Sequence, residues 1–273
     1  MNKYIVIQGI KGGVGCTTVT TNLAVALQKV GANCIVVDLS EQDDLKYHFG
    51  GRFDDPTGLF TSLEENKPWF KTCYQDLSGV KFFPYGSLNP DRYNDDNSHQ
   101  NKLQETQSGY ITQLMETIEG KKENTIILFD APHYNDKFTK LLSHVDKHLI
   151  VANCDPSSYV QLMSRKRTDH QNSVNVILNR CNPNNELAAE MHTLMQSQLP
   201  SLLGNIMGTI SQNEMVPEAL AQGSNLMNTE PLSITAKEFH FLAIQVFRDV
   251  FSPINKTKKV KSSPEIRKKT AIV

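Results

Sequence analysis

The ten residues Gly9-Ile10-Lys11-Gly12-Gly13-Val14-Gly15-Cys16-Thr17-Thr18 lie between an apolar run, Tyr4-Ile5-Val6-Ile7, and a helical pattern, Asn22-Leu23-Ala24-Val25-Ala26-Leu27. A chain built this way must leave a buried strand, turn tightly and enter a helix. Glycines at 12, 13 and 15 let the backbone curl so that successive N–H groups point inward at an anion, and the helix adds its positive N-terminal end. The run therefore reads as a phosphate-binding loop, with Gly12, Gly13, Val14, Gly15, Cys16, Thr17 and Thr18 around a nucleotide phosphate and the Thr17 hydroxyl on Mg²⁺. The strict spacing G-x-x-x-x-G-K-[ST] is missed twice: position 10 is Ile10, and Cys16 stands where a Lys reaches the β- and γ-phosphates. A Gly-rich turn can also be only a tight connection. Three further features in chain order favour the phosphate loop: Asp38 at the end of a second strand, Asp130 after Thr125-Ile126-Ile127-Leu128-Phe129, and the pair Asn179-Arg180 after a later strand.

Short apolar runs alternate with helical patterns along most of the chain, which predicts a doubly wound α/β fold with a mostly parallel sheet. The expected strands are 3–9, 33–38, 80–85, 125–130, 148–153, 174–179 and 205–210. Right-handed crossovers bring the C-terminal ends of such strands to one edge, so the loop, Asp38, Asp130 and Asn179 should meet at one crevice. The stretch 89–108, rich in Asn, Asp, Gln and Ser, reads as a surface loop. The cluster Leu59, Phe60, Leu63, Trp69 and Phe70 reads as core.

At 273 residues the chain has material for one large core, read as a nucleotide-binding domain over 1–251 followed by a tail over 252–273. The tail carries seven Lys or Arg against Glu265 alone, a net +6, while the whole chain is at −1. It reads as a disordered end that either aids solubility or is drawn electrostatically to an anionic surface, lipid or nucleic acid. No apolar run is long enough to span a bilayer and no secretory leader is evident, so a cytoplasmic protein is expected. The five cysteines are scattered without a C-x-x-C pair, which argues against zinc and for reduced thiols. His144 and His148 straddle an expected helix end and strand start, so they are not expected to bind metal.

The run Lys11-Gly12-Gly13-Val14-Gly15, Asp38-Leu39-Ser40, Asp130-Ala131-Pro132, and Val216-Pro217-Glu218-Ala219 with Gly223 resemble the MinD/ParA family of dimerising phosphate-loop ATPases over about residues 1–250. The resemblance implies ATP and Mg²⁺ as ligands and a homodimer closed across the nucleotide. Within it, Lys11 contacts the partner's phosphates, Asp130 binds Mg²⁺ through water, and Asp38 lies close to the nucleotide. The segment from Val216 would lie beside the adenine, whose edge Asn179 and Arg180 read unless they serve only as turn residues. Lys11 and Asp38 are the candidates for a catalytic part.

Two positions depart from the family's pattern together, Cys16 for the loop Lys and Ser40 for the Asp that orients water. A Ser hydroxyl lacks the anionic acceptor that makes water nucleophilic, so fast turnover is not expected although binding is. These losses, with Gln8-Gly9, Pro84-Tyr85-Gly86-Ser87-Leu88 and Asn179, resemble the cellulose-biosynthesis branch of the family, the BcsQ type. That resemblance implies a regulatory subunit bound, through a small partner protein and other cellulose synthase subunits, at the inner membrane, with the basic tail as a further anionic-membrane contact. Nucleic acid is not an expected partner of this branch. The competing reading is a partitioning or septum-positioning ATPase acting on nucleoid or membrane. A redox protein of the same fold would need paired cysteines around a cluster.

Overall fold

The computed structural model describes residues 2–65, 67–87, 109, 111, 114–116, 124–131, 144–164, 174–202 and 204–251. Its eight strands are β1 (Lys3–Gly9), β2 (Asn33–Asp38), β3 (Tyr74–Gln75), β4 (Lys81–Phe83), β5 (Thr125–Ala131), β6 (Lys147–Asn153), β7 (Val174–Cys181) and β8 (Ile206–Ser211). They form one sheet in the order β3-β4-β2-β5-β1-β6-β7-β8, parallel throughout except for the pairing of β3 with β4. This is the doubly wound α/β sheet expected from the alternating pattern. β1 sits between β5 and β6, so the loop that follows it opens where the winding changes direction.

The two faces of β1 show why its sequence is an unbroken apolar run. Ile5 and Ile7 face a core shared with Leu23 and Leu27 of helix α1 (Cys16–Lys29), whereas Tyr4 and Val6 face a second core with Val37, Phe129 and Leu114. Ile5, Val6 and Ile7 are completely buried. At about 1.5–3 kcal/mol for each such side chain, the rod that carries the loop is strongly anchored at its base. Further helices among the described residues include α2 (Leu59–Glu64), α3 (Pro156–Met163), α4 (Glu186–Leu202), α5 (Met215–Ala221), α6 (Leu226–Thr229) and α7 (Ile234–Phe251). α7 packs against α1 and β8, with Phe239, Leu242 and Val246 buried.

At one edge the structure departs from the expected pattern. The fourth strand runs only over Lys81–Phe83 rather than 80–85, and a two-residue antiparallel strand, Tyr74–Gln75, precedes it. The Asp76 carboxylate accepts from the Val80 N–H, which ends the strand early on one side. On the other side Pro84 has no N–H to donate, and the carbonyls of Pro84 and Tyr85 accept from Leu59 and Phe60 at the start of α2. Of the expected aromatic core, Leu59 and Phe60 are buried, Trp69 packs at 5.7 Å on Phe83, and Phe70 is 62% exposed. The Leu63 side chain, Pro132, Leu88, the expected surface loop 89–108 and the basic tail 252–273 lie outside the described residues. None of the described helices is long and apolar enough to cross a membrane.

Candidate functional site

The loop is shaped by two left-handed glycines. Gly13 has φ 77° and Gly15 has φ 83°, a region that other L-residues rarely enter, and Gly15 stands at the N-cap of α1. An added Cβ at Gly15 would lie 2.8 Å from Asn179 Nδ2, and one at Gly9 would lie 2.8 Å from both the Lys11 carbonyl and Val14 Cγ2. Gly12 and Gly13 face open space, while Val14 is buried and pins the loop to the core. No side chain caps the start of α1 and its first turn holds no acidic residue. The N–H groups and positive dipole end at Cys16, Thr17 and Thr18 are thus left to an anion.

Beneath the loop lie two carboxylates on neighbouring strands. Asp38 and Asp130 occupy paired positions on β2 and β5, and both are buried. Asp130 Oδ1 accepts from Thr20 Oγ1 at 3.0 Å and from Cys16 Sγ at 3.3 Å; its Oδ2 is buried with no hydrogen-bond partner. Asp38 accepts from the Ser40 N–H at 2.8 Å and the Leu45 N–H at 3.3 Å, so it also shapes the turn after β2. Burial raises the pKa of Asp130 to about 6, although the neighbouring Thr17, Cys16 and Thr20 side chains favour its charged form. Asp38 is raised for the same reason, reinforced by the charge of Asp130. Burial, and then Asp130, push the Cys16 thiol well up. A reactive thiolate at this helix N-terminus is therefore opposed by its surroundings.

The outer side of the loop is held by β6 and β7. Lys11 Nζ donates to both carboxylate oxygens of Asp155, at 3.0 and 3.1 Å, and Asp155 caps α3 by accepting from the Ser158 N–H at 2.7 Å. The Lys11 and Ser158 hydrogen bonds hold the Asp155 carboxyl below its usual range against a desolvation that acts the other way. Asn179 Nδ2 donates to the Val14 carbonyl at 2.8 Å, and the Arg180 guanidinium donates to the Gly13 carbonyl at 3.1 Å. Arg180 itself adopts φ 52°, and β7 and β8 shift register beside it. The structure thus places Asn179 and Arg180 on the loop's own carbonyls.

Asp155 escaped the sequence reading although Asp155-Pro156-x-Ser158 is a readable helix start, with a capping Asp followed by Pro at the first helical position. The cysteines also hold a correction. Their scattered spacing predicted free thiols, but the fold brings Cys154 and Cys181 together as a disulfide, with Cα atoms 5.6 Å apart. Cys16, Cys34 and Cys73 stand outside that disulfide. The segment from Val216 lies on α5, and Gly223, with φ 66°, closes against Gly50. Among the described residues, no group of three His, Cys, Asp or Glu side chains is arranged to hold a metal alone.

These residues fit a nucleotide with Mg²⁺. The uncapped helix end and open glycines suit phosphate oxygens, and the orphaned Asp130 Oδ2 is a buried acceptor with nothing to accept from. A family model described as cellulose biosynthesis protein BcsQ matches residues 1–247. The cellulose biosynthesis protein BcsQ of Escherichia coli (strain K12) is 26% identical over 242 residues, covering 87% of this chain and 91% of that one. Its counterpart from Salmonella typhi is 25% identical over the same shares. Among solved structures, a chain of the MinC:MinD cell division protein complex from Aquifex aeolicus superposes with a TM-score of 0.66 at 23% identity, over 90% of this chain and 95% of that one. MinD complexed with Mg-ADP from Pyrococcus horikoshii OT3 gives 0.66 at 21%, over 90% and 96%. At these identities the solved structures establish the fold, that of the MinD/ParA phosphate-loop ATPases.

Proposed function

We infer the function from one premise: the chain belongs to the family of cellulose biosynthesis protein BcsQ. It acts, in our reading, as an ATP-binding regulatory subunit that dimerises across the nucleotide and supports assembly or localisation of a cellulose secretion complex, with weak or absent hydrolysis. The supporting observation is the pair of buried carboxylates, Asp38 and Asp130, the latter bonded by a Cys16 thiol where the loop cation of an active ATPase would stand. Backbone N–H groups at the start of α1 bind the phosphates, and Thr17 with Asp130, the latter through water, holds Mg²⁺. Bound there, Mg²⁺ neutralises phosphate charge. Asn179 and Arg180 brace the loop by donating to the Val14 and Gly13 carbonyls, and in this reading they lie beside the base.

Turnover suffers twice. Losing a positioned cation and a water-orienting carboxylate each costs a factor of order 10²–10³. Lys11 keeps a charge available, but Asp155 holds it on its own subunit until a partner's phosphates compete for it. A partitioning or septum-positioning ATPase, which must hydrolyse to reset, fits Cys16 and Ser40 less well. Subunits of the cellulose synthase complex, a small partner protein among them, are the partners this reading assigns. Peripheral attachment to the inner membrane from the cytoplasmic side goes with them, with the basic tail on anionic lipid. Titrating the chain with a fluorescent ATP analogue, with and without Mg²⁺, tests the binding core of the reading. Saturable binding strengthened by Mg²⁺ supports it, and no binding in either condition sinks it.

A further inference from the structure

The strand ends that grip the phosphate loop are covalently joined to each other. The β6–β7 ladder makes its last pairing at Asn153 with Asn179, and Cys154 and Cys181 lie just beyond it as a disulfide. One residue from Cys154, Asp155 holds Lys11; one residue from Cys181, Arg180 holds the Gly13 carbonyl, and Asn179 beside it holds the Val14 carbonyl. Three residues of the loop are therefore braced by two short segments whose mutual position the sulfur bridge fixes. Arg180 adds a reason for the bridge to matter. Its φ of 52° is a left-handed conformation that a long side chain adopts only when its neighbours hold it there, and the register of β7 on β8 slips at the same place. The Cα separation of 5.6 Å is ordinary for a disulfide.

We propose that Cys154 and Cys181 form a redox-responsive modification site, addressed by small thiols and disulfides of the glutathione class, that sets the order of the phosphate loop. In the forward step one cysteine thiolate attacks a glutathione-class disulfide, forming a mixed disulfide and expelling one thiolate. The second cysteine then attacks the protein sulfur of that mixed disulfide and expels the other. One protein S–S bond forms, the small disulfide is reduced to two thiols, and those thiols take up the two cysteine protons. The reverse exchange opens the bridge. With the bridge closed, Arg180 is held in its kink and the Gly13 and Val14 carbonyls stay occupied. With it open, the segment 179–181 is free to relax and the loop loses its common brace. The proposal rests on the nucleotide-binding reading for its consequence, tighter Mg-ATP binding in the oxidised state, but not for the structural switch itself.

The test uses the full chain with Cys73→Ser, which removes the exposed cysteine, equilibrated in glutathione-disulfide or dithiothreitol buffer. Intact mass with differential alkylation reports the bridge, hydrogen exchange without nucleotide reports residues 11–18, and a fluorescent ATP analogue with Mg²⁺ reports binding. A bridge between 154 and 181 under oxidation is expected, with loop exchange slowed and analogue affinity raised by at least about threefold. The further variant Cys154→Ser/Cys181→Ser should match the reduced state in both buffers. A pair that stays reduced at every glutathione ratio overturns the proposal, as does a loop that exchanges at the same rate in both states. Redox-dependent exchange with no analogue binding in either state leaves the switch standing and refutes the nucleotide-binding reading instead.

Discussion

Replacing Asp130 with Asn should stabilise the nucleotide-free protein at neutral pH, although it removes a residue central to the site. Asp130 is fully enclosed, and its pKa rises from 3.8 to about 6 because burial strips water from its charged form. A carboxyl with a raised folded-state pKa binds its proton more tightly when folded. Its favourable contribution is complete below the unfolded pKa and is lost as pH climbs through the folded one. At 1.36 kcal/mol per unit, the rise corresponds to about 3 kcal/mol in all, of which about 2 kcal/mol is lost between pH 4 and 7. Asp38 is raised as well and feels the charge of Asp130, so the measured slope belongs to the pair. Asn keeps a group able to face Thr20 and Cys16 but carries no charge, and Asp38 loses its like-charged neighbour. Urea unfolding of wild type and Asp130→Asn at several pH values from 4 to 7.5 reads this directly. The wild type should lose about 2–3 kcal/mol more than the variant across that range. A difference between the two proteins that does not change with pH would refute the claim that the pair sits uncompensated.

Three other outcomes follow from the geometry. Lys11→Ala should abolish nucleotide-dependent dimerisation on sizing while lowering unfolding stability by no more than about 1 kcal/mol, because its bond to Asp155 is partly exposed. Gly15→Ala should cost about 1–2 kcal/mol for its left-handed conformation and weaken analogue binding, since the new Cβ meets Asn179. Cys16→Lys combined with Ser40→Asp should raise phosphate release by about 10²-fold or more; unchanged release would show that other groups limit hydrolysis.

The parts of the fold that were legible in advance are those where local chemistry and burial agree. β1, β2 and β5 are β-branched runs covered on both faces, and their C-terminal ends carry Gly9, Asp38 and Asp130, which made the crevice predictable. Tyr74–Gln75 was invisible because two residues hold no period, and the pairing exists only through the turn that Asp76 builds. Lys81–Phe83 was overextended because apolar Tyr85 belongs to the α2 core rather than to the ladder. At the site, glycine spacing announced the loop, yet what the loop leans on was not local. The contacts from Asp155 to Lys11 and from Asn179 to Val14 span more than a hundred residues, and Cys154 meets Cys181 only because β6 and β7 are neighbours. The aromatic and apolar character of Phe70 suggested burial, but the tight turn at Trp69–Thr72 directs it outward.

The central claim, a nucleotide-closed dimer that scarcely hydrolyses, is tested most directly by light scattering of the purified chain with and without Mg-ATP, with phosphate release assayed on the same sample. The account predicts a doubling of mass on adding Mg-ATP with little phosphate released. A mass that stays monomeric, or brisk phosphate release, would contradict it.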